Sequence, residues 1–370
     1  MKDFHWRGQY LSVCFIYYDQ QQENTVKLRK LERAAALALT LAAGMSGAAM
    51  AQTYEMKLAH SNPEIQHSHL HSPLVLFKKE VERRTGGDVA VTIFPNGTLG
   101  KQPALLQQLK QGVIQAVSMS EGGIAPFYPN IAAFSIPYLF SEVDIAYEVL
   151  DGEMGDFIKQ DMVATAGVRP LAWGEDAGFR NFTSNSQMIK APSDLEGMKV
   201  RTMTVPAHMA MVEAMGGSPT AISWPELYTA LQTGVAEAQE NPVTNIRKAR
   251  LYEVQENLTL DGHVYSFVAI FVNEEWFQTL PESYQRDILL AGQLAADATR
   301  SLSRVNENID LEYLKEQGME IYAPTFEEKQ AFKDASQAAV IDSLKETLGE
   351  ELIDRVLQAT ANAEVKLGYR

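Results

Sequence analysis

Two arginines occupy sequence contexts that suit the binding of an anion. Arg201 lies near the end of a predicted strand in segment 197–203, and Arg180 lies close to two phenylalanines in segment 178–182. A guanidinium matches a carboxylate with two parallel hydrogen bonds and stays charged at any relevant pH. Burying it at a strand end is unfavourable unless an anion joins it. Arg201 is therefore a candidate carboxylate clamp, with an internal salt bridge to an acidic residue as the evenly weighted alternative.

Two other residues could contact the body of a small polar ligand. Trp224 precedes Pro225 at a predicted helix start, and Asn241 precedes Pro242. An aromatic ring forms an apolar wall, and an amide both donates and accepts hydrogen bonds. Each residue alone also has a purely structural interpretation, as a core tryptophan and as an asparagine that caps a turn.

The sequence lacks the short motifs typical of enzymes. It contains no P-loop, no zinc-protease H-E-x-x-H and no G-x-S-x-G nucleophile motif. His67, His69 and His71 are the nearest approach to a metal cluster, and His67 and His71 would share one face of a helix. We favour a polar helix entry or a hydrogen-bonding wall of a cleft for them. The sequence therefore predicts no metal, no cofactor and no catalysis.

Composition and charge narrow the class of protein further. The chain has 370 residues, 46% of them hydrophobic, and a net charge of −15. This length fits two domains, and the acidic balance disfavours nucleic acid as a partner. Its one cysteine, Cys14, lies near the N-terminus. We therefore expect the rest of the chain to lack disulfides and thiolate chemistry.

Residues 1–51 have the composition of an N-terminal extension followed by an export signal. A basic cluster at residues 27–33 precedes the apolar run 34–43, and small residues end in Ala49-Met50-Ala51. This is the three-part layout of a secretory signal, with cleavage between Ala51 and Gln52. Because residues 1–25 precede the basic cluster, we expect synthesis to begin near Val26. An exported acidic chain of this kind is expected in a bacterial periplasm.

Hydrophobic periodicity predicts an α/β fold with two lobes. Strands near residues 56–58, 89–93 and 113–119 alternate with helices over 70–81 and 104–111, which favours parallel strand pairing. Residues 180–260 repeat this pattern, with strands at 199–203 and 219–222 and helices at 207–215 and 225–233. Residues 282–315 predict one long helix that lies across both lobes.

Several ordered motifs resemble the periplasmic substrate-binding proteins of TRAP transporters, the DctP family. They are PSDLEGMKVR at 192–201, GGSPT at 216–220, ELYTALQTG at 226–234, QENP at 239–242, YEVQ at 252–255, FPNGTLG at 94–100, FYP at 127–129 and IPY at 136–138. The resemblance covers residues 52–370. It implies a Venus-flytrap fold, which we expect to consist of lobe I (52–177 with 266–305) and lobe II (178–265 with 306–370).

The resemblance also implies a function. Such a protein closes on a small organic acid, commonly a C4-dicarboxylate, keto acid or sugar acid. A monomer would then deliver this ligand to a permease with a small and a large membrane subunit, driven by an ion gradient. Closure would follow as a population shift, because a ligand that contacts both lobes stabilises the closed state.

Individual residues match the motifs to different degrees. Arg201 matches the carboxylate-clamping arginine, Arg180 a second ligand arginine, Trp224 an aromatic position and Asn241 a ligand-binding asparagine. Further wall positions are expected at Ser61, Ser120 and Glu121. The chain departs from the family where Glu237-Ala238 replaces Asp-Gly and where tryptophan stands at an aromatic position that is more often phenylalanine.

Other functions stay open at this point. An ABC-type binding protein would share the flytrap but not the Arg201 and QENP motifs. An exported enzyme could use the same cleft on a carboxylate substrate. A sensory receptor could carry the same lobes, and nothing in the sequence separates that role from transport.

Overall fold

The structure is a computed structural model and describes residues 54–370. The predicted export signal and Cys14 lie outside the described residues. Within the described part of the chain, no helix is long and apolar enough to span a bilayer.

The first part of the described chain forms the predicted β-α-β-α-β unit. It contains β1 (Tyr54–Ala59), α1 (Ser72–Arg84), β2 (Val89–Phe94), α2 (Gln102–Lys110) and β3 (Ala116–Ser120). β1 pairs in parallel with both β2 and β3 and therefore lies between them. β3 begins later than predicted, since Val113 is exposed in the turn that follows α2.

A helical connection leads from this unit to a long strand. It contains α3 (Glu121–Ile124), a 3₁₀ helix (Pro129–Ser135), α4 (Val143–Asp151) and α5 (Glu153–Ala166), followed by the 17-residue strand β4 (Val168–Ser184). Nearly every residue of β4 is buried. A strand buried on both faces has no polar–apolar alternation, so periodicity does not reveal it.

The second α/β unit has the same design as the first. It contains β5 (Lys199–Thr202), α6 (Pro206–Ala214), β6 (Ser218–Ala221), a 3₁₀ turn (Trp224–Glu226), α7 (Leu227–Gln232), β7 (Ala238–Pro242) and α8 (Val243–Lys248). β5 pairs in parallel with β6 and β7. The two units therefore have equivalent strand orders, with the first strand of each in the middle.

The last part of the chain connects the two units. It contains β8 (Asn257–Asn273), α9 (Glu274–Gln278), α10 (Glu282–Glu316), β9 (Glu320–Tyr322), α11 (Phe326–Leu348) and α12 (Glu350–Leu367). The predicted long helix is α10, with 35 residues. One apolar cluster packs Ile288 of this helix against Phe77 of α1, and another packs Leu314 against Ile246 of α8. Thus α10 extends across both units, as the sequence predicted.

One sheet joins the two units through a pair of long central strands. Its order is β2-β1-β3-β8-β4-β7-β5-β6, and β9 pairs with β8. β4 and β8 run antiparallel to each other over most of their length. The first unit joins the sheet through β3 on β8, and the second through β7 on β4.

An irregularity interrupts β4 midway between the units. The register with β8 shifts between Glu175 and Gly178. Ala177 and Gly178 have positive φ angles of 60° and 85°. The positive φ favours glycine at position 178, and a Cβ there would lie 2.3 Å from Nη2 of Arg304 on α10, so the guanidinium would have to move. The predicted boundary at 177/178 coincides with this bulge, and the lobe boundaries themselves stay a prediction.

Candidate functional site

A cavity lies where the parallel strands of both units end. Carboxyl ends of parallel strands line the ligand crevice in open α/β sheets. Its walls consist mostly of hydroxyl, amide and apolar side chains. They are Ser61, Asn62, Leu70, Gln102, Ser118, Met119, Ser120, Gly122, Gly123, Asp176, Arg180, Arg201, Met203, Thr204, Ile222, Ser223, Trp224, Asn241, Asn245 and Val268.

Arg201 reaches this cavity with part of its guanidinium unpaired. Its Nε and Nη2 donate to the carbonyl oxygen of Ile222 at 2.9 and 2.7 Å, which fixes the plane of the group. Nη1 is buried and has no hydrogen-bond partner among the described residues. Burial lowers the pKa of Arg201 to about 10, so the group stays charged at neutral pH. Such a buried, unpaired cation provides a site for an anion.

Arg180 also lines the cavity, but a protein carboxylate already pairs with it. Its Nε and Nη2 both contact the carboxylate of Glu240, the latter at 3.0 Å, and Nη2 also donates to the Glu240 carbonyl oxygen at 2.6 Å. Nη1 lies 3.4 Å from Oγ of Ser266. Burial alone would lower the pKa of Arg180, but Glu240 raises it overall. The internal ion pair considered as an alternative for Arg201 is thus found at Arg180.

A buried polar network holds Glu240 in its ionised form. Burial alone would raise its pKa, but Arg180, His208 and His263 hold that pKa well below the usual range. His263 lies 3.4 Å from Glu240 through Nε2 and 2.7 Å from Asp261 through Nδ1. Burial alone would lower the pKa of His263, but Asp261 and then Glu240 raise it to about 9. These contacts orient the carboxylate that holds Arg180.

A chain of hydrogen bonds fixes the amide orientation of Asn241. Gln255 donates from Nε2 to backbone carbonyls, so its Oε1 must accept from Thr183, at 2.7 Å. Gln239 in turn donates to Thr183 at 2.7 Å, and Asn241 Nδ2 donates to Gln239 Oε1 at 2.5 Å. Since Nδ2 of Asn241 must donate to Gln239 Oε1, Oδ1 of Asn241 and its second N–H are the groups left for a ligand.

Trp224, Ser61 and Ser120 also line the cavity, and Glu121 does not. Trp224 lies half-buried in the 3₁₀ turn before α7, Ser61 follows β1, and Ser120 ends β3. Glu121 is buried behind this wall, where it accepts hydrogen bonds from Ser266 Oγ at 3.0 Å and from Phe267 N–H at 3.1 Å. Burial, reinforced by Asp176, raises its pKa to about 8 despite the opposing effect of Arg180. The predicted ligand contact at Glu121 therefore does not match its position in the structure.

The sequence did not predict Asp176 as a site residue. Asp176 lies in the cavity wall on β4, where His69 Nε2 and Asn245 Nδ2 contact its Oδ1 at 3.3 and 3.0 Å. Burial alone would raise the pKa of Asp176, but the contacts with His69 and Asn245, together with the charge of Arg180, lower it overall. The pair Glu175-Asp176 within an otherwise apolar run was the available signal, since buried carboxylates need partners.

The three histidines of the N-terminal segment lie apart from one another. His67 is exposed, His69 contacts Asp176, and His71 lies at the start of α1, where its Nδ1 is 3.1 Å from Nε2 of His60. They precede α1 and do not share a helix face. No group of three potential metal ligands occurs within residues 54–370.

Contacts across the cavity join the two units directly. Lys101, just before α2, forms a salt bridge of 2.5 Å with Glu226, just before α7. A Cβ at Gly122 would lie 2.4 Å from Sδ of Met203, so this glycine permits close approach between α3 and the end of β5. The structure therefore represents the units closed on the cavity.

Comparison with known proteins identifies relatives over most of the chain. Residues 58–347 match the family described as bacterial extracellular solute-binding protein, family 7, DctP. A solute-binding protein of Roseobacter denitrificans is 34% identical over 310 residues, which cover 83% of this chain and 92% of that protein.

Solved structures show the same architecture. A TRAP periplasmic solute-binding protein of Sulfurospirillum deleyianum with bound succinate is similar, with a TM-score of 0.76, 29% identity and coverage of 82% of this chain and 98% of that chain. The sugar-acid-binding protein of Advenella mimigardefordensis in complex with galactonate has a TM-score of 0.78, 29% identity and coverage of 84% and 98%. This likeness confirms the predicted two-lobed α/β fold.

Proposed function

Because the chain belongs to the bacterial extracellular solute-binding proteins of family 7, the DctP proteins of TRAP transporters, we propose that its cavity captures one small organic acid through the carboxylate. The observation that carries this proposal is Nη1 of Arg201, which is buried, charged and unpaired among the described residues, at a cavity wall. A carboxylate of a ligand completes the hydrogen bonding of this group. Asn241 and Trp224 then contact the remainder of the ligand.

The bound protein passes the acid to a membrane permease rather than transforming it. The family supports this role, since its relatives are solute-binding proteins of TRAP systems. We propose that the partners are the small and large membrane subunits of such a permease, and that the protein acts as a monomer. The signal-like residues 1–51 support export to the periplasm, with cleavage before Gln52.

Closure couples binding to delivery. The cavity walls come from both units, and the bulge at Gly178 lies in one of the two strands that connect them. A ligand held by Arg201 of the second unit and Ser61 of the first contacts both lobes only in the closed form. The difference in contacts between open and closed states supplies the free energy of closure.

Substitution of Arg201 tests the proposal. We expect Arg201→Ala to lower affinity for the preferred acid at least about a hundredfold, because a buried charge-assisted pair typically contributes ~3 kcal/mol or more. Isothermal titration calorimetry against the tightest acid found in a thermal-shift panel measures the change.

Two matched variants control this experiment. Arg201→Lys retains the charge but not the planar fork, so its affinity should fall between those of Arg201→Ala and the natural protein. Arg83→Ala removes an exposed arginine that pairs with Glu80 on α1 and is absent from the cavity wall, so this variant should bind normally. Unchanged affinity in Arg201→Ala would reject the clamp and the proposed function with it.

A further inference from the structure

The charged side chains that line the cavity can compensate the charge of one ligand carboxylate. The ionisable side chains in its wall are Asp176, Arg180 and Arg201. Glu240 pairs with Arg180, so among the described residues of the wall Arg201 is the arginine with a buried nitrogen, Nη1, that lacks a hydrogen-bond partner. A second ligand carboxylate would therefore have no free cation to pair with and would lie in a cavity that already contains Asp176.

The position of Asp176 gives it a free acceptor oxygen. The residue is 7% exposed, and both of its side-chain hydrogen bonds from described residues, from His69 and Asn245, reach Oδ1. No hydrogen bond from a described residue reaches Oδ2. An ionised carboxylate accepts hydrogen bonds and cannot donate them, so a hydroxyl group suits this oxygen and a second carboxylate does not.

The other polar groups of the wall are neutral. Ser61, Asn62, Gln102, Ser118, Ser120 and Asn241 contribute hydroxyls and amides, which can both donate and accept. Such a wall matches a ligand with several hydroxyls along its chain. It offers no compensation for burying a second charge.

We propose that Asp176 determines specificity by accepting a hydrogen bond from a ligand hydroxyl and repelling a second ligand carboxylate, so that the ligand is a hydroxylated monocarboxylate of the sugar-acid type. This inference rests on the proposed function, in which Arg201 binds the first carboxylate.

The test is calorimetric titration of the full chain with acids matched in carbon number. One set is D-galactonate, galactarate and hexanoate, and the other is D-erythronate, meso-tartrate and butyrate. We expect a hydroxy monocarboxylate to bind most tightly. Its deoxygenated counterpart should bind at least about tenfold more weakly, because it lacks the hydrogen bond to the charged Asp176. Its diacid should also bind at least about tenfold more weakly, because Asp176 repels the second carboxylate. A diacid that binds as tightly as the monoacid overturns the inference.

Variants separate the charge of Asp176 from its structural contacts. Asp176→Asn should shift the ratio of diacid to monoacid affinity towards the diacid by at least about tenfold, since the repelling charge is removed. Asp161→Asn is the matched control, because Asp161 contacts Tyr128 and Asn130 and is absent from the cavity wall. An equal loss of affinity for all acids in Asp176→Asn would indicate a merely structural role and reject the inference.

The experiments distinguish an error in the proposed function from an error in this inference. If Arg201→Ala binds the preferred acid of the natural protein normally, the carboxylate clamp is wrong and both proposals fall. If the natural protein binds another organic acid but none of either set, only the inference about Asp176 falls. If Arg201→Ala loses binding but diacids bind best, only the inference about Asp176 falls. Circular dichroism establishes that each variant is folded, and if Asp176→Asn is not, the ligand ranking of the natural protein still decides.

Discussion

Arg180 and Arg201 are buried at the same cavity but differ in what compensates their charge. Arg180 makes a forked contact with Glu240, whose own orientation depends on His263 and Asp261. Arg201 contacts only the carbonyl of Ile222 and keeps Nη1 unpaired among the described residues. The charge of a buried arginine that pairs with a protein carboxylate is compensated within the fold, whereas one without a carboxylate can pair with the carboxylate of a ligand. We therefore propose a structural role for Arg180 and a ligand-binding role for Arg201.

Removal of the carboxylate that compensates Arg180 should have the largest effect on stability. We expect Glu240→Gln to lower the free energy of unfolding by about 3 to 5 kcal/mol, because it leaves a buried guanidinium without its counter-charge. Urea denaturation followed by circular dichroism measures the difference, with the exposed Glu196→Gln as a matched control. A loss below about 1 kcal/mol would show that Arg180 does not depend on this ion pair.

Glu121, which lies near Arg180, should make stability depend on pH in the neutral range. Its pKa in the folded protein is about 8, mainly because of burial, against 4.5 for an ordinary glutamate. A folded-state pKa above the unfolded one contributes stability that is complete below about pH 4.5 and is lost as the pH rises towards 8.

The isosteric variant Glu121→Gln avoids this loss because it never ionises. Relative to the natural protein, its free energy of unfolding should therefore increase by roughly 3 to 4 kcal/mol between pH 5 and pH 8. Urea denaturation at several pH values measures it, and the exposed Glu316→Gln provides the baseline. If the difference in free energy of unfolding between Glu121→Gln and the natural protein does not change with pH, Glu121 is already ionised in the folded protein across this range.

Replacement of Arg201 should have the smallest effect on the stability of the ligand-free protein. We expect Arg201→Met to change the free energy of unfolding by less than about 1 kcal/mol. Loss of the hydrogen bonds to Ile222 lowers the stability, but removal of an uncompensated buried charge raises it by a similar amount. Arg180→Met, measured in parallel by urea denaturation, should lower the free energy of unfolding by about 3 kcal/mol, because it leaves the buried Glu240 without its counter-charge. Equal losses in the two variants would remove the distinction between the two arginines.

Much of the strand and helix pattern could be predicted from the sequence. The two α/β units follow from alternating apolar residues such as Met56 and Leu58, and the long helix α10 from a segment without proline. The central strands β4 and β8 could not be predicted this way, because burial on both faces removes alternation. Yet β4 carries Asp176, Arg180 and the bulge at Gly178, on which the site depends.

Side-chain types and their order along the chain thus determined which residues could bind an organic acid, including Arg201, Arg180, Asn241 and Trp224. Only the tertiary structure decided which arginine is already paired, that Glu121 lies behind the cavity wall and that Asp176 lies in it. The physical reason is that a charge is compensated by its neighbours in space. For Arg180 and Glu240 those neighbours are 60 residues apart in sequence.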